Sequence, residues 1–359
     1  MKSANTRQIL VYALVAVMAL GTVFTYLPRC KSDTSNTGHT NNPSQTQPTQ
    51  VVLQAPPFNA DSAFLFVQKQ VDFGPRVPGT DAHRKCASWL AGEFKRHGLT
   101  VIEQKFEANF YFGKRPAVNI IGQYKPELPN RIMLCAHWDS RHIADKDASD
   151  QDKPILGADD GASGVGVLLE IARILKDKPL NVGIDFILFD AEDLGDDTDP
   201  VGNASGPMAA GEAENKSDTW CLGSQYWAQH PHKPGYTAQF GILLDMVGGI
   251  GARFPLEGFS TTNAPQVQRR IWGIAQELGY GGLFVPVQGG AITDDHVPVM
   301  KYRKFPVVDI ISMPNDPPNV FGSHHHTHAD KMSIISRETL GAVGKVVAEV
   351  AWRTDRPVQ

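Results

Sequence analysis

Residues 131–140, RIMLCAHWDS, open on a short apolar run, Ile132 to Cys135, and break off at His137 and Asp139. A run of that length is too short for an ordinary helix and suits a buried strand. The pattern recurs. Val182 to Phe189 leads into Asp190, Glu192 and Asp193; Phe240 to Leu244 leads into Asp245; Phe305 to Val308 leads into Asp309. Between these runs lie amphipathic stretches at Ala82 to His97, Ala162 to Lys176, Ala264 to Leu278 and Arg337 to Trp352, the last with Leu340, Val343, Val347 and Val350 on one face. Such alternation predicts an α/β fold, a single domain with a central mixed, mostly parallel sheet flanked by helices. In open sheets of this kind ligands bind at the carboxyl ends of the strands, so the polar residues that terminate the runs are the candidates for chemistry.

The rest of the chain frames that unit. Among its 359 residues 42% are hydrophobic, enough for a large core, and 34 basic against 38 acidic side chains leave a net charge of −4. There is no basic block to neutralise phosphates, so nucleic acid is not an expected partner. Ile9 to Leu27 is uncharged and mostly apolar behind Lys2 and Arg7, which reads as a signal peptide or signal anchor over residues 1–30. The chain is therefore expected to be exported, to the periplasm or cell envelope, with membrane attachment through this segment if it is kept. Arg29 just before Cys30 fits a lipoprotein cysteine poorly. Residues 31–56 are Ser, Thr, Asn, Gln and Pro with little to bury, a flexible linker; residues 57–359 form the expected single large folded domain, taken to be a monomer. Four scattered cysteines are too few for a disulfide scaffold or a four-thiolate metal site.

Singly, a carboxylate at a strand end or helix start is usually structural. Here several converge. ILGADDGASG puts Asp159 and Asp160 directly before a helix, and a late run, His324-His325-His326-Thr327-His328, supplies imidazoles. Carboxylate and imidazole donors without a thiolate cluster suit a catalytic zinc, which takes three protein ligands and leaves a position for substrate. Neighbouring side chains diverge, so of Glu192 and Asp193 one can face the metal while the other moves protons.

The series His137-x-Asp139, Ala158 to Gly164, Asp190-Ala191-Glu192-Asp193, Leu222-Gly223-Ser224, Asp245-Met246, Asp295-His296 and His326-Thr327 resembles the zinc-dependent aminopeptidase superfamily. FGPRVPGT at Phe73 to Thr80, TWCLGSQYW at Thr219 to Trp227, TDDHVPVM at Thr293 to Met300 and HHTHAD at His325 to Asp330 resemble, more narrowly, its bacterial glutaminyl cyclases. The resemblance implies one zinc per chain on Asp160, Asp193 and His326, with Asp193 standing where many relatives have Glu. It implies Glu192 as general acid/base, with Asp245 and Asp294 in a hydrogen-bond network beside the substrate amine. Asp309 stands where animal cyclases have a histidine and His325 where they have a tryptophan. Asp309 is counted with the catalytic group, and Trp220 and His325 with substrate binding.

The implied substrates are peptides or proteins with N-terminal Gln, whose α-amine attacks its own γ-carbonyl to give pyroglutamate and ammonia. A two-zinc aminopeptidase is the alternative, because His137 and Asp245 match second-metal ligands; Asp294, before the Asp295-His296 pair, separates the two. A non-catalytic envelope binding protein is a further alternative, disfavoured by the retained Glu192 and ligand set. A calcium site in Asp196 to Asp199 competes with a plain acidic loop there, Gly202 to Asn215 reads as an exposed insertion, and pairing among Cys86, Cys135 and Cys221 stays open.

Overall fold

The structure, a computed structural model, describes residues 54–196, 219–315 and 320–355. The N-terminal apolar segment, most of the linker, Cys30, Asp197 to Asp199 and the Gly202 to Asn215 insertion lie outside the described residues.

Four expected strands form the heart of the molecule. They are β3 (Arg131–His137), β4 (Gly183–Phe189), β5 (Gly241–Asp245) and β8 (Val307–Ile311), all mutually parallel where they pair. Every residue of these strands is buried. Successive side chains alternate faces: Ile132, Leu134 and Ala136 of β3 enter one core cluster, Met133 and Cys135 the other. Burial on both faces is why these strands read as unbroken apolar runs. A hairpin that the apolar runs do not announce, β1 (Thr100–Phe110) and β2 (Gly113–Tyr124), adds antiparallel to β4. The six-stranded order is β1-β2-β4-β3-β5-β8, and β6 (Phe254–Leu256) pairs with β7 (Phe284–Gln288) in a separate small sheet.

The helices cover both faces. On one lie α1 (Ala60–Val71), α2 (Asp81–Arg96), α3 (Ala162–Ile174), α6 (Pro265–Glu277) and α8 (Arg337–Thr354), which bring Val67, Leu90, Leu168, Ile271 and Val347 to the larger cluster. On the other, α4 (Leu222–Gln229) and α7 (His296–Arg303) supply Trp227 and Val299. A short α5 (Gly258–Asn263) precedes α6. Thr80 and Ser336 cap α2 and α8 by accepting from His83 N and Thr339 N. The expected helix ends agree to within two residues, the usual scatter of fraying termini. Among the described residues no helix is long and apolar enough to cross a membrane.

One buried polar group ties the sheet together. Asp185 on β4 accepts from Arg131 Nη2 at 2.7 Å, Gln123 Nε2 at 3.0 Å and the Tyr236 hydroxyl at 2.8 Å, and also pairs with Arg131 Nε. Burial alone would raise its carboxyl; the bonds from His232 and Arg131 win and hold it below the usual range. Asp185→Asn leaves the Arg131 guanidinium buried without its counter-charge and should cost about 3 kcal/mol. Urea unfolding at neutral pH, with the slope unchanged, is the measurement.

Candidate active site and metal centre

The acidic residues meet at the carboxyl end of the parallel strands because other buried groups pin the turns that carry them. Asp139, just past β3, accepts from Glu192 N at 3.1 Å and Asp193 N at 3.2 Å. Asp190 accepts from Val118 N at 2.6 Å, Ala191 N at 2.8 Å and His83 Nε2 at 2.8 Å. Asp330 does the same for the other loop, accepting from Asp159 N at 2.7 Å and Asp160 N at 3.2 Å. That carboxylate serves the start of α3, whose own N-cap, Gly161, has no side chain to offer. Gly161 is required there for another reason: a Cβ would sit 2.6 Å from the His137 ring. Arg76 is fully buried and donates to the carbonyls of Trp138, Leu156 and Gly157, which joins the end of β3 to the segment leading into Asp160.

Of Asp160, Asp193 and His326, the three ligands that the resemblance implies, His326 faces the other two. His326 Nε2 lies 3.1 Å from Asp193 Oδ1 and 3.9 Å from Asp160 Oδ2. His326 adopts a left-handed backbone, φ 58°, and Asp193 Oδ2 is buried with no hydrogen-bond partner. On the other side of Asp160, His137 Nε2 is 3.1 Å from both Asp160 Oδ1 and Asp245 Oδ1. Burial opposes a charge on His137, but Asp139, Asp160 and Asp245 override it and raise its pKa. Asp245 is pushed up to about 8 by burial against the pull of His137, and burial together with Asp160 raises Asp193. A crowd of buried oxygen donors with an unsatisfied oxygen and a facing imidazole is a donor set that a dication neutralises.

Beside this set stands a second group. Side-chain atoms of Glu192, Cys221 and Asp294 lie within 4.8 Å of one another, all buried. Glu192 Oε1 accepts from Cys221 Sγ at 3.2 Å. Burial, reinforced by Asp294, Asp193 and Asp295 and opposed by His137, lifts the Glu192 carboxyl well above its ordinary value. Asp294 receives a bond from Asp295 N on Oδ1, while Oδ2 has no partner. Asp309 sits within β8 rather than at its end and clusters with Glu257 and His296, the last at 4.0 Å from its Oδ2. The structure thus brings Asp309 to a neighbouring buried group and not into the Glu192 trio.

Trp220 and His325 flank His326. The Trp220 ring is half-buried, lies parallel to the His326 ring at 6.0 Å and carries the Arg141 guanidinium at 4.8 Å. His325 stacks on His326 at 3.7 Å, and its Nδ1 is 3.0 Å from Lys146 Nζ. With Asp160 and His326 it forms a further group of donor atoms within 4.8 Å. The positioning roles of Arg76 and Asp330 have no local signal beyond their place in the FGPRVPGT and HHTHAD motifs. Cys86, Cys135 and Cys221 are buried free thiols.

A family model described as "Peptidase family M28" matches residues 119–351. The chain is similar to a structure of Porphyromonas gingivalis glutaminyl cyclase, 47% identical over 82% of this chain and 98% of that one, TM-score 0.75. It is similar to a Zn-dependent exopeptidase from Parabacteroides distasonis, 47% identical over 83% and 99%, TM-score 0.76. Aminopeptidase YwaD of Bacillus subtilis is 26% identical over 81% of this chain, which spans 56% of the length of that protein.

Proposed function

Because the chain belongs to peptidase family M28, we propose that it is a zinc-dependent glutaminyl-peptide cyclotransferase, converting N-terminal Gln to pyroglutamate with release of ammonia. The observation that carries this reading is the Asp294 carboxylate, buried beside Glu192 with one oxygen unpartnered. A cyclisation has to hold an amine as nucleophile next to the carbonyl it attacks, and a carboxylate at that place holds amine hydrogens. An aminopeptidase also binds the substrate amine, but as a recognition group, because its nucleophile is water. Similarity to glutaminyl cyclases at nearly half identity supports the same reading.

Asp160, Asp193 and His326 would hold the metal, and the unpartnered Asp193 Oδ2 suits that role. When bound, zinc supplies Lewis-acid polarisation of a carbonyl oxygen. Asp294 orients the substrate α-amine toward the side-chain carboxamide carbon of the same residue. Glu192 takes a proton from that amine as the ring C–N bond forms, and returns it to the carboxamide nitrogen as the old C–N bond breaks and ammonia leaves. Its raised pKa makes it a stronger proton acceptor than an ordinary carboxylate, which suits a group that must take up a proton and give it back. Trp220 and His325, half-buried beside His326, are suited to holding the substrate side chain.

The two-zinc aminopeptidase is favoured by one arrangement, the buried trio of His137, Asp160 and Asp245. Two measurements decide. Purified protein should carry one zinc per chain by elemental analysis, and it should release ammonia from Gln-initiated peptides with the matching loss of mass. Two tightly held zinc ions with free amino acids liberated from Leu- or Ala-initiated peptides would establish the aminopeptidase instead.

A further inference from the structure

We propose that Cys221 is a positioning residue that fixes the Glu192 carboxylate for proton transfer, an inference that rests on Glu192 being the proton-transfer group. The turn that carries it is pressed against Asp190-Ala191-Glu192 at three points. Cys221 N donates to Glu192 O at 3.1 Å, Leu222 N to Ala191 O at 2.9 Å, and Cys221 Sγ to Glu192 Oε1 at 3.2 Å. At the next residue, Gly223, a Cβ would lie 2.1 Å from Asp190 O, so the two segments cannot be closer.

The backbone conformation says that the side chain matters. Cys221 has φ 56° and ψ 34°, left-handed, and opposite it Ala191 has φ 58°. A non-glycine residue is strained there by its Cβ, a strain that glycine avoids. A cysteine is kept in a conformation that glycine would adopt more readily, and what it contributes over glycine is a thiol aimed at Glu192. Among the described residues that thiol is the side-chain donor to the Glu192 carboxylate, and Oε2 receives no hydrogen bond from a described residue. One oxygen is held and the other is left to the substrate. Cys221 as a residue is 1% exposed, which leaves bulk water little access to stand in for the thiol.

Three variants test this: Cys221→Gly, which relieves the backbone and removes the thiol; Cys221→Ala, which only removes it; and Cys221→Ser, which restores a donor. Gly and Ala should lower kcat roughly tenfold with KM and zinc content nearly unchanged, as expected for a displaced proton-transfer group. Ser should recover most of the loss. Rates are taken with whichever substrate the wild type turns over, Gln-initiated or Leu-initiated, since Glu192 moves the proton in either reaction; failure of the cyclase reading therefore leaves this test standing. A wild-type kcat in Cys221→Gly, or a Ser variant as slow as the Ala variant, overturns the proposal. Independently of turnover, the infrared S–H stretch that disappears in Cys221→Ser should lie at lower frequency in wild type than in a Glu192→Ala background. An identical frequency overturns it as well.

Discussion

Glu192→Gln should reduce turnover by about 10²–10⁴ while leaving the bound zinc in place. Gln keeps the length of the side chain and can still accept from Cys221 Sγ, so the turn around Ala191 has no reason to move. An uncharged amide also avoids the burial and like-charge crowding with Asp193, Asp294 and Asp295 that raise the Glu192 carboxyl, which makes loss of fold an unexpected outcome. Only proton acceptance is lost. Turnover within a few fold of wild type would make Glu192 structural and transfer its role to Asp193 or Asp245, both of which have raised pKa values. Zinc content measured on the same sample separates loss of chemistry from loss of metal.

Asp294→Asn should abolish most pyroglutamate formation, by about 10²–10³, again at unchanged zinc content. The carboxylate accepts from Asp295 N, which an Asn oxygen also does, so the entry into α7 is preserved. What disappears is the acceptor at Oδ2, the atom with no partner in the buried group, because the Asn amide nitrogen donates in its place. The loss should fall on kcat/KM for Gln-initiated peptides. Unimpaired ammonia release from this variant would leave Asp294 as a turn residue and withdraw the observation on which the cyclase reading stands.

Why some of this was legible in the sequence follows from burial. β3, β4, β5 and β8 are covered on both faces and so appear as apolar runs, each close to where it was expected. β1 is half exposed, with Glu103, Lys105 and Glu107 outward between partly buried neighbours, and its alternation carries no apolar run. The strand order, which puts the hairpin beside β4 and β4 beside β3, depends on pairings between distant segments. The same distinction holds at the site. Asp160, Asp193, Glu192 and His326 stand in motifs that name them. The groups that aim them, Arg76 on the carbonyls of 138, 156 and 157 and Asp330 on the amides of 159 and 160, act across 62 to 171 residues of sequence and are visible only once the chain is folded. Asp309 follows an apolar run and stands where animal cyclases have a histidine; the fold continues that run through it, to Ile311, which the sequence pattern alone does not announce.

Asp309 in that position has a meaning for solubility. β8 is the terminal strand of the six-stranded order, and without Asp309 its sequence would be Val307, Val308, Ile310 and Ile311, a β-branched segment of the kind that pairs with other chains while folding is incomplete. In the native protein the Asp309 amide donates to Ser260 Oγ, while its carboxylate has His296 Nδ1 at 4.0 Å and no hydrogen-bond partner. In an intermolecular stack it would repeat at every layer, charge upon charge. The same acid that is costly inside the folded molecule disfavours such stacking.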